Sequence, residues 1–292
     1  MRSVRTLLHG LIDYAGLFPP AGLDLPTAVA NYASYRASDT CWALGRFVIP
    51  AARLPELETS ADPFLRGSGT PWKLAALAGA DLTGDLGAIV QFNQRHGGRA
   101  VVDIIELKAG TTAAVAAALR VIDGRFDAYL EIPIANDPAP LIDALAALGG
   151  RAKVRTGGVT PEAFPPPADL LRFLRRCTAA GVPFKATAGL HHPLRGAYRL
   201  TYQPGSPCGV MFGFLNLFLA AAFVQHGMGD ADALELLEES STASLRVEQE
   251  GIGWRSHWLD DAELRHARRL AAAFGSCSFD EPIGDLRAMR LL

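Results

Sequence analysis

Cysteine is scarce and unpaired in this sequence: Cys41, Cys177, Cys208 and Cys277 stand singly, with no C-x-x-C spacing. That pattern excludes a zinc knot and a disulfide framework and fits a reducing compartment, so a cytoplasmic protein is expected. A basic stripe is also missing. The 28 Lys and Arg are interspersed with 30 Asp and Glu, for a formal charge of -2, which excludes a nucleic-acid partner. Two arginines open the chain, but His9 and Asp13 interrupt the apolar stretch that follows before a signal-type segment is complete. No Walker or dinucleotide glycine fingerprint occurs, Gly157-Gly158 being too short for one, and no cofactor is expected.

Long apolar runs are absent except from Gly209 to Val224. This run falls short of the roughly 20 residues that a membrane span needs. Gly213 and Asn216 interrupt it, and a strand running into a buried helix gives the same pattern. No membrane partner is expected.

What is present is a chain of 292 residues with 49% hydrophobic content, enough for a sizeable core. Eight strands are predicted around Leu11–Ala15, Leu44–Ile49, Trp72–Leu77, Ala100–Ile105, Ala128–Ile132, Ala152–Thr156, Pro183–Thr187 and Gly209–Phe212. Most follow one another at roughly 25 to 35 residues, the length of a βα unit. Helix patterns fill the intervals: Thr111 and Thr112 open a run to Ile122, Pro138 opens another, and Asp169 to Ala180 places Leu170, Phe173, Leu174 and Cys177 on one face. Alternating strands and helices imply a parallel sheet covered on both sides, and eight repeats imply closure into an α/β (β/α)8 TIM barrel. The barrel is expected over residues 1–229. Residues 230–292, with Trp254 and Trp258 as anchors and Asp260 as a helix N-cap, are expected to form a helical extension packed on it.

Alternate side chains of a barrel strand point inward, and those nearest the carboxyl end reach the active-site mouth. Lys153 and Arg155 share one face of the sixth strand, and Lys185 and Thr187 share one face of the seventh. Lysines are rarely buried without a partner or a purpose. An amine beside a second cation and away from water loses its proton more readily, and can then attack a carbonyl to form a Schiff base. The competing structural reading turns both lysines outward beneath the helices, or pairs them with acids to hold the barrel together. Asp103 in the fourth strand is a candidate for moving protons, while Asp13 and Glu131 fit either site roles or structural ion pairs.

Four segments carrying these residues resemble, in order, the deoxyribose-phosphate aldolase family of class I, Schiff-base aldolases. Leu11-Ile12-Asp13-Tyr14, followed by Leu17 and Pro20-Ala21, is similar to that family's opening strand. Val102-Asp103-Ile104-Ile105 resembles its proton-shuttling segment, Lys153-Val154-Arg155-Thr156-Gly157 its Schiff-base strand, and Phe184-Lys185-Ala186-Thr187-Ala188-Gly189 the strand of its second lysine. The resemblance covers roughly residues 11–190. It implies Lys153 as nucleophile, Lys185 as the neighbour that lowers its pKa, and Asp103 as proton shuttle. Beyond Leu190 the chain departs from the family: His191-His192-Pro193-Leu194-Arg195 and Phe212-Gly213-Phe214 replace the arginine-bearing loop and the small phosphate-holding turn. A phosphate-free substrate is therefore expected.

His191 and His192 follow the seventh strand, where adjacent side chains point to opposite sides, so one at most faces the mouth. That one could bind substrate, act as acid or base, or ligate metal; a loop pair without such duty is the alternative. Arg155 could fork onto a substrate carboxylate or pair with Glu131. Glu106 and Lys108 read as a solvated pair at the rim. The expected function is a cofactor-free carbon–carbon lyase or aldolase acting on a small oxo compound. The alternatives are a metal-dependent barrel lyase or isomerase using Glu106, Glu131 and His191, and a non-catalytic barrel that binds a small ligand or a partner protein. The apolar segment and the extension leave room for a homo-oligomeric contact.

Overall fold

A computed structural model gives the fold and describes residues 1–66 and 69–292. Eight parallel strands close into a barrel: Ile12–Tyr14, Leu44–Pro50, Trp72–Leu77, Ala100–Lys108, Asp127–Glu131, Arg151–Arg155, Phe184–Thr187 and Ala271–Ser276. Each pairs with its neighbours in chain order, and the eighth closes the circle between the seventh and the first. The protein is an α/β barrel of the (β/α)8 kind.

Sequence signals set most elements. Asp24 accepts from Thr27 N at 2.8 Å to cap the helix Leu25–Arg36, Thr111 caps Thr112–Ile122, and left-handed Gly149 and Gly181 end the helices after the fifth and sixth strands. Apolar residues between strands and helices form one large core. Inside the barrel a smaller cluster of Val48, Ala75, Ile104 and Tyr129 fills the middle layer.

The eighth strand lies elsewhere than expected. Cys208–Met211 is a strand, but it pairs antiparallel with Gly196–Arg199 in a two-stranded ribbon outside the barrel. The barrel is completed by Ala271–Ser276, whose alanines favour helix and follow the helix Asp261–Ala267, so that the sequence reads as helical there. Backbone bonds to two parallel neighbours override that preference. The division at residue 229 is corrected accordingly, because residues 230–292 supply the last strand and the helix Asp280–Ala288 that follows it.

The crossover between the seventh and eighth strands also holds the helices Phe214–Gln225 and Asp230–Glu238 and a three-stranded antiparallel sheet. Phe214–Gln225 is buried from Phe214 to Val224, which accounts for the apolar run. Its Asn216 is fully bonded, accepting from Arg195 N and donating to the carbonyls of Leu236 and Glu239. Among the described residues no helix is long and apolar enough to cross a membrane.

Candidate active site

The strand register brings the ionisable residues together. Lys153 lies opposite Lys185 on the seventh strand and Glu131 on the fifth, and Arg155 lies opposite Thr187. In the fourth strand the register slips at Asp103: Leu74 and Ala75 of the third strand pair with Val102 and Ile104. This bulge puts Ile104 in the inner cluster and, two residues on, turns Glu106 into the barrel above it.

Six charged side chains then form a chain of alternating sign. Asp13 Oδ2 accepts from Lys185 Nζ at 2.5 Å, and Lys185 also donates to Glu106 Oε1. Glu106 Oε2 lies 2.8 Å from Lys153 Nζ, which is 3.3 Å from Glu131 Oε2. Glu131 Oε1 in turn accepts from Arg155 Nε at 3.3 Å. Lys185, Glu106 and Lys153 are 2%, 3% and 6% exposed, and Asp13 is fully buried with its Oδ1 accepting from Arg46 N at 2.6 Å. Opposite charge on each side is what permits such burial.

Burial alone would raise the Glu106 carboxyl, but the ammonium groups of Lys153 and Lys185 hold it down to about 2. Burial likewise opposes a charged Lys185, and Asp13 and Glu106 more than offset it, so this amine keeps its proton above the usual lysine range. The field of Lys185 is thus directed into Asp13 and Glu106, and a carboxylate stands between it and Lys153.

These groups line a cavity of about 280 Å³ at the carboxyl ends of the strands. Glu106, Lys153, Arg155, Lys185, Thr187 and His191 face it, against an apolar wall that includes Phe18, Val48 and Leu77. His191 is turned to the cavity, whereas His192 bonds Asp285 at 2.7 Å and stacks on Tyr198. Of the expected site residues, Lys153, Lys185, Arg155, Thr187 and His191 line the cavity, and Asp13 and Glu131 hold the two lysines from behind.

Asp103 does not join them. Its carboxylate forks onto Arg46 at 2.6 and 2.8 Å, near the amino end of the barrel, with the Val48–Ile104 layer between it and the lysines. The carboxylate that touches both amines is Glu106, not a solvated rim residue but a buried one. Sequence reasoning also misses Cys277, which lines the cavity, and Glu281 behind it, because both follow an eighth strand that lies in another segment than expected, and it misses Tyr202, a lone tyrosine in the crossover before that strand. Among the described residues no group of three or more His, Cys, Asp or Glu is arranged to hold a metal ion. No protein-family model, curated protein or solved structure matches the chain.

Proposed function

We propose that the protein is a Schiff-base-forming carbon–carbon lyase of the aldolase kind, acting on a small oxo compound that carries no phosphate. The observation that carries this reading is the Lys153 amine: a buried primary amine on the wall of a small cavity at the catalytic end of the barrel, with two carboxylates in hydrogen-bond reach.

Lys153 must shed a proton before it attacks a carbonyl carbon. Glu106 at 2.8 Å and Glu131 at 3.3 Å are the acceptors at hand. The attack gives a carbinolamine, loss of water gives an iminium, and that iminium takes up the electron pair of the breaking carbon–carbon bond as an enamine. Glu106 takes the shuttle role that the motif likeness assigned to Asp103. Lys185 acts through Glu106: by bonding Oε1 it fixes the carboxylate with Oε2 toward Lys153.

A phosphate-free substrate agrees with the loops after the last two strands. The helix Asp280–Ala288 begins with Asp280 and Glu281, and Glu281 N already donates to Ser278 Oγ at 3.1 Å, so the usual anion-holding helix start is acidic and occupied. Sodium borohydride with pyruvate or another short oxo compound is expected to add the reduced substrate mass to Lys153. Labelling at another residue, or none with a compound that turns over, would falsify the imine mechanism.

A further inference from the structure

The cavity wall carries a further polar group, His191, that imine formation at Lys153 leaves unused. Ala188 and Gly189, both with left-handed backbone at φ 64° and 72°, turn the chain after the seventh strand, and Thr156 Oγ1 holds the turn by donating to the Ala188 carbonyl at 2.7 Å. His191 is thereby set on the cavity wall at 7% exposure. Its Nδ1 lies 3.2 Å from Glu281 Oε2 and 3.9 Å from Cys277 Sγ, and the same Glu281 oxygen accepts from Tyr202 OH at 2.7 Å. Among the described residues Nε2 meets no donor or acceptor of the protein. A carboxylate on Nδ1 keeps a proton there and orients the ring, so Nε2 is the atom presented to a ligand, the arrangement of an acid–base histidine.

We infer that His191, oriented by Glu281, is the catalytic acid–base residue for the substrate's hydroxyl oxygen, and that the substrate class is a β-hydroxy oxo compound reaching from Lys153 to His191. The inference rests on the imine reading above. In cleavage the bond between the α and β carbons breaks, its electron pair passes into the Lys153 iminium to form the enamine, and the hydroxyl proton passes to Nε2, leaving an aldehyde. In condensation the enamine carbon attacks the aldehyde carbon, the carbonyl electron pair moves to oxygen, and Nε2–H supplies the proton.

Burial by itself would lower the His191 pKa, but Cys277 and Glu281 raise it to about 9. The other titratable groups near the ring are Tyr202 and the His192–Asp285 pair, and Arg155, Lys153 and Lys185 share the cavity wall with it. Near neutral pH the ring is therefore an imidazolium, ready for condensation, while cleavage needs the neutral ring and speeds up as pH rises toward about 9.

The test separates the two steps with pyruvate as donor and a series of aldehydes of two to six carbons as acceptors. His191→Gln is expected to retain borohydride trapping of pyruvate on Lys153 and to lose condensation by roughly 10²–10⁴-fold. Glu281→Gln is expected to move the alkaline limb of the pH profile to lower pH, which a merely structural residue would not do. Condensation in His191→Gln that falls no further than trapping overturns the inference and leaves the imine reading standing, as does an unmoved limb in Glu281→Gln. Wild-type protein that traps pyruvate but condenses it with none of the aldehydes overturns it too. Wild-type protein that traps nothing overturns the imine reading and this inference together.

Discussion

Lys153 and Lys185 stand directly opposite one another in neighbouring strands, and each donates to a different oxygen of Glu106. Two buried ammonium groups stay this close because a carboxylate lies between them. Glu106→Gln removes that charge and keeps the shape, leaving the lysines to repel each other. Breaking a buried pair in this way costs about 3–5 kcal/mol, read from urea unfolding. Adding Lys153→Met is expected to recover part of the loss, because Lys185 keeps Asp13 and Glu131 keeps Arg155, an interaction of about 0.5–3 kcal/mol. A single Glu106→Gln variant as stable as the parent would mean that the carboxylate is not what holds the amines.

Two buried groups, Glu106 with its lysines and His191 with Glu281, set an acid limit and an alkaline one. Glu106 is held at about 2, below its ordinary 4.5, so its contribution to stability is complete above pH 4.5 and is lost as pH falls through about 2. His191 is shifted the other way, from 6.5 up to about 9; its contribution is complete below pH 6.5 and is lost as pH rises through about 9. The stability gap between wild type and Glu106→Gln is therefore expected to close on the acid side. The gap to His191→Gln closes on the alkaline side. Urea midpoints measured from pH 2 to 10 check both, and gaps that stay constant with pH would contradict the shifts.

Asp103→Asn tests the division of labour between the two ends of the barrel. The Asp103–Arg46 fork is partly buried, with the carboxylate side chain 32% exposed. Losing it is expected to cost about 1.5–3 kcal/mol, the range for hydrogen bonds to charged groups. Trapping at Lys153 should be unaffected. A variant of normal stability that no longer forms the imine would return Asp103 to the mechanism.

That contrast also shows how far the sequence could be read. Regular spacing and strand parity were enough for seven barrel strands and for the inward faces of Lys153, Arg155, Lys185 and Thr187. Parity fails in the fourth strand because the bulge at Asp103 is a property of pairing with the third strand, which no single segment displays. The motif likeness, which takes no account of that bulge, assigns to Asp103 the place between the amines that Glu106 holds. The eighth strand was hidden by alanine, and with it went Cys277, Glu281 and half of the setting of His191.

Phe164 packs tightly against two glycines that follow the sixth and seventh strands, Gly157 and Gly189. A Cβ on Gly189 would come within 2.7 Å of the Phe164 ring and 3.0 Å of Gly157 Cα, and its backbone at φ 72° disfavours any side chain. Gly189→Ala is expected to cost about 1–3 kcal/mol from overpacking, with further strain from the left-handed backbone. Phe164→Leu in the same chain should relieve the packing part and leave the backbone part. Thermal unfolding of the single and double variants separates the two; equal melting temperatures for the pair would remove the ring from the account.

Arg155 gives the substrate class a separate test. It lines the cavity two residues beyond Lys153 on the same strand face, and it uses Nε for Glu131; among the described residues its terminal nitrogens meet no protein acceptor. A guanidinium with its fork free matches a carboxylate in two parallel hydrogen bonds. An oxo acid with its carbonyl at Lys153 can place its carboxylate there, and a neutral ketone gains nothing from the same contact. Arg155→Met is therefore expected to raise the pyruvate concentration for half-maximal trapping by roughly ten- to a hundredfold, the effect of about 1.5–3 kcal/mol. Trapping of hydroxyacetone should be unchanged. Arg155→Lys should fall between, because an ammonium offers one point of charge where the fork offers two bonds. If both compounds weaken equally, Arg155 acts on Lys153 through Glu131 instead of on the substrate, and the preference for an acid must be sought elsewhere in the cavity.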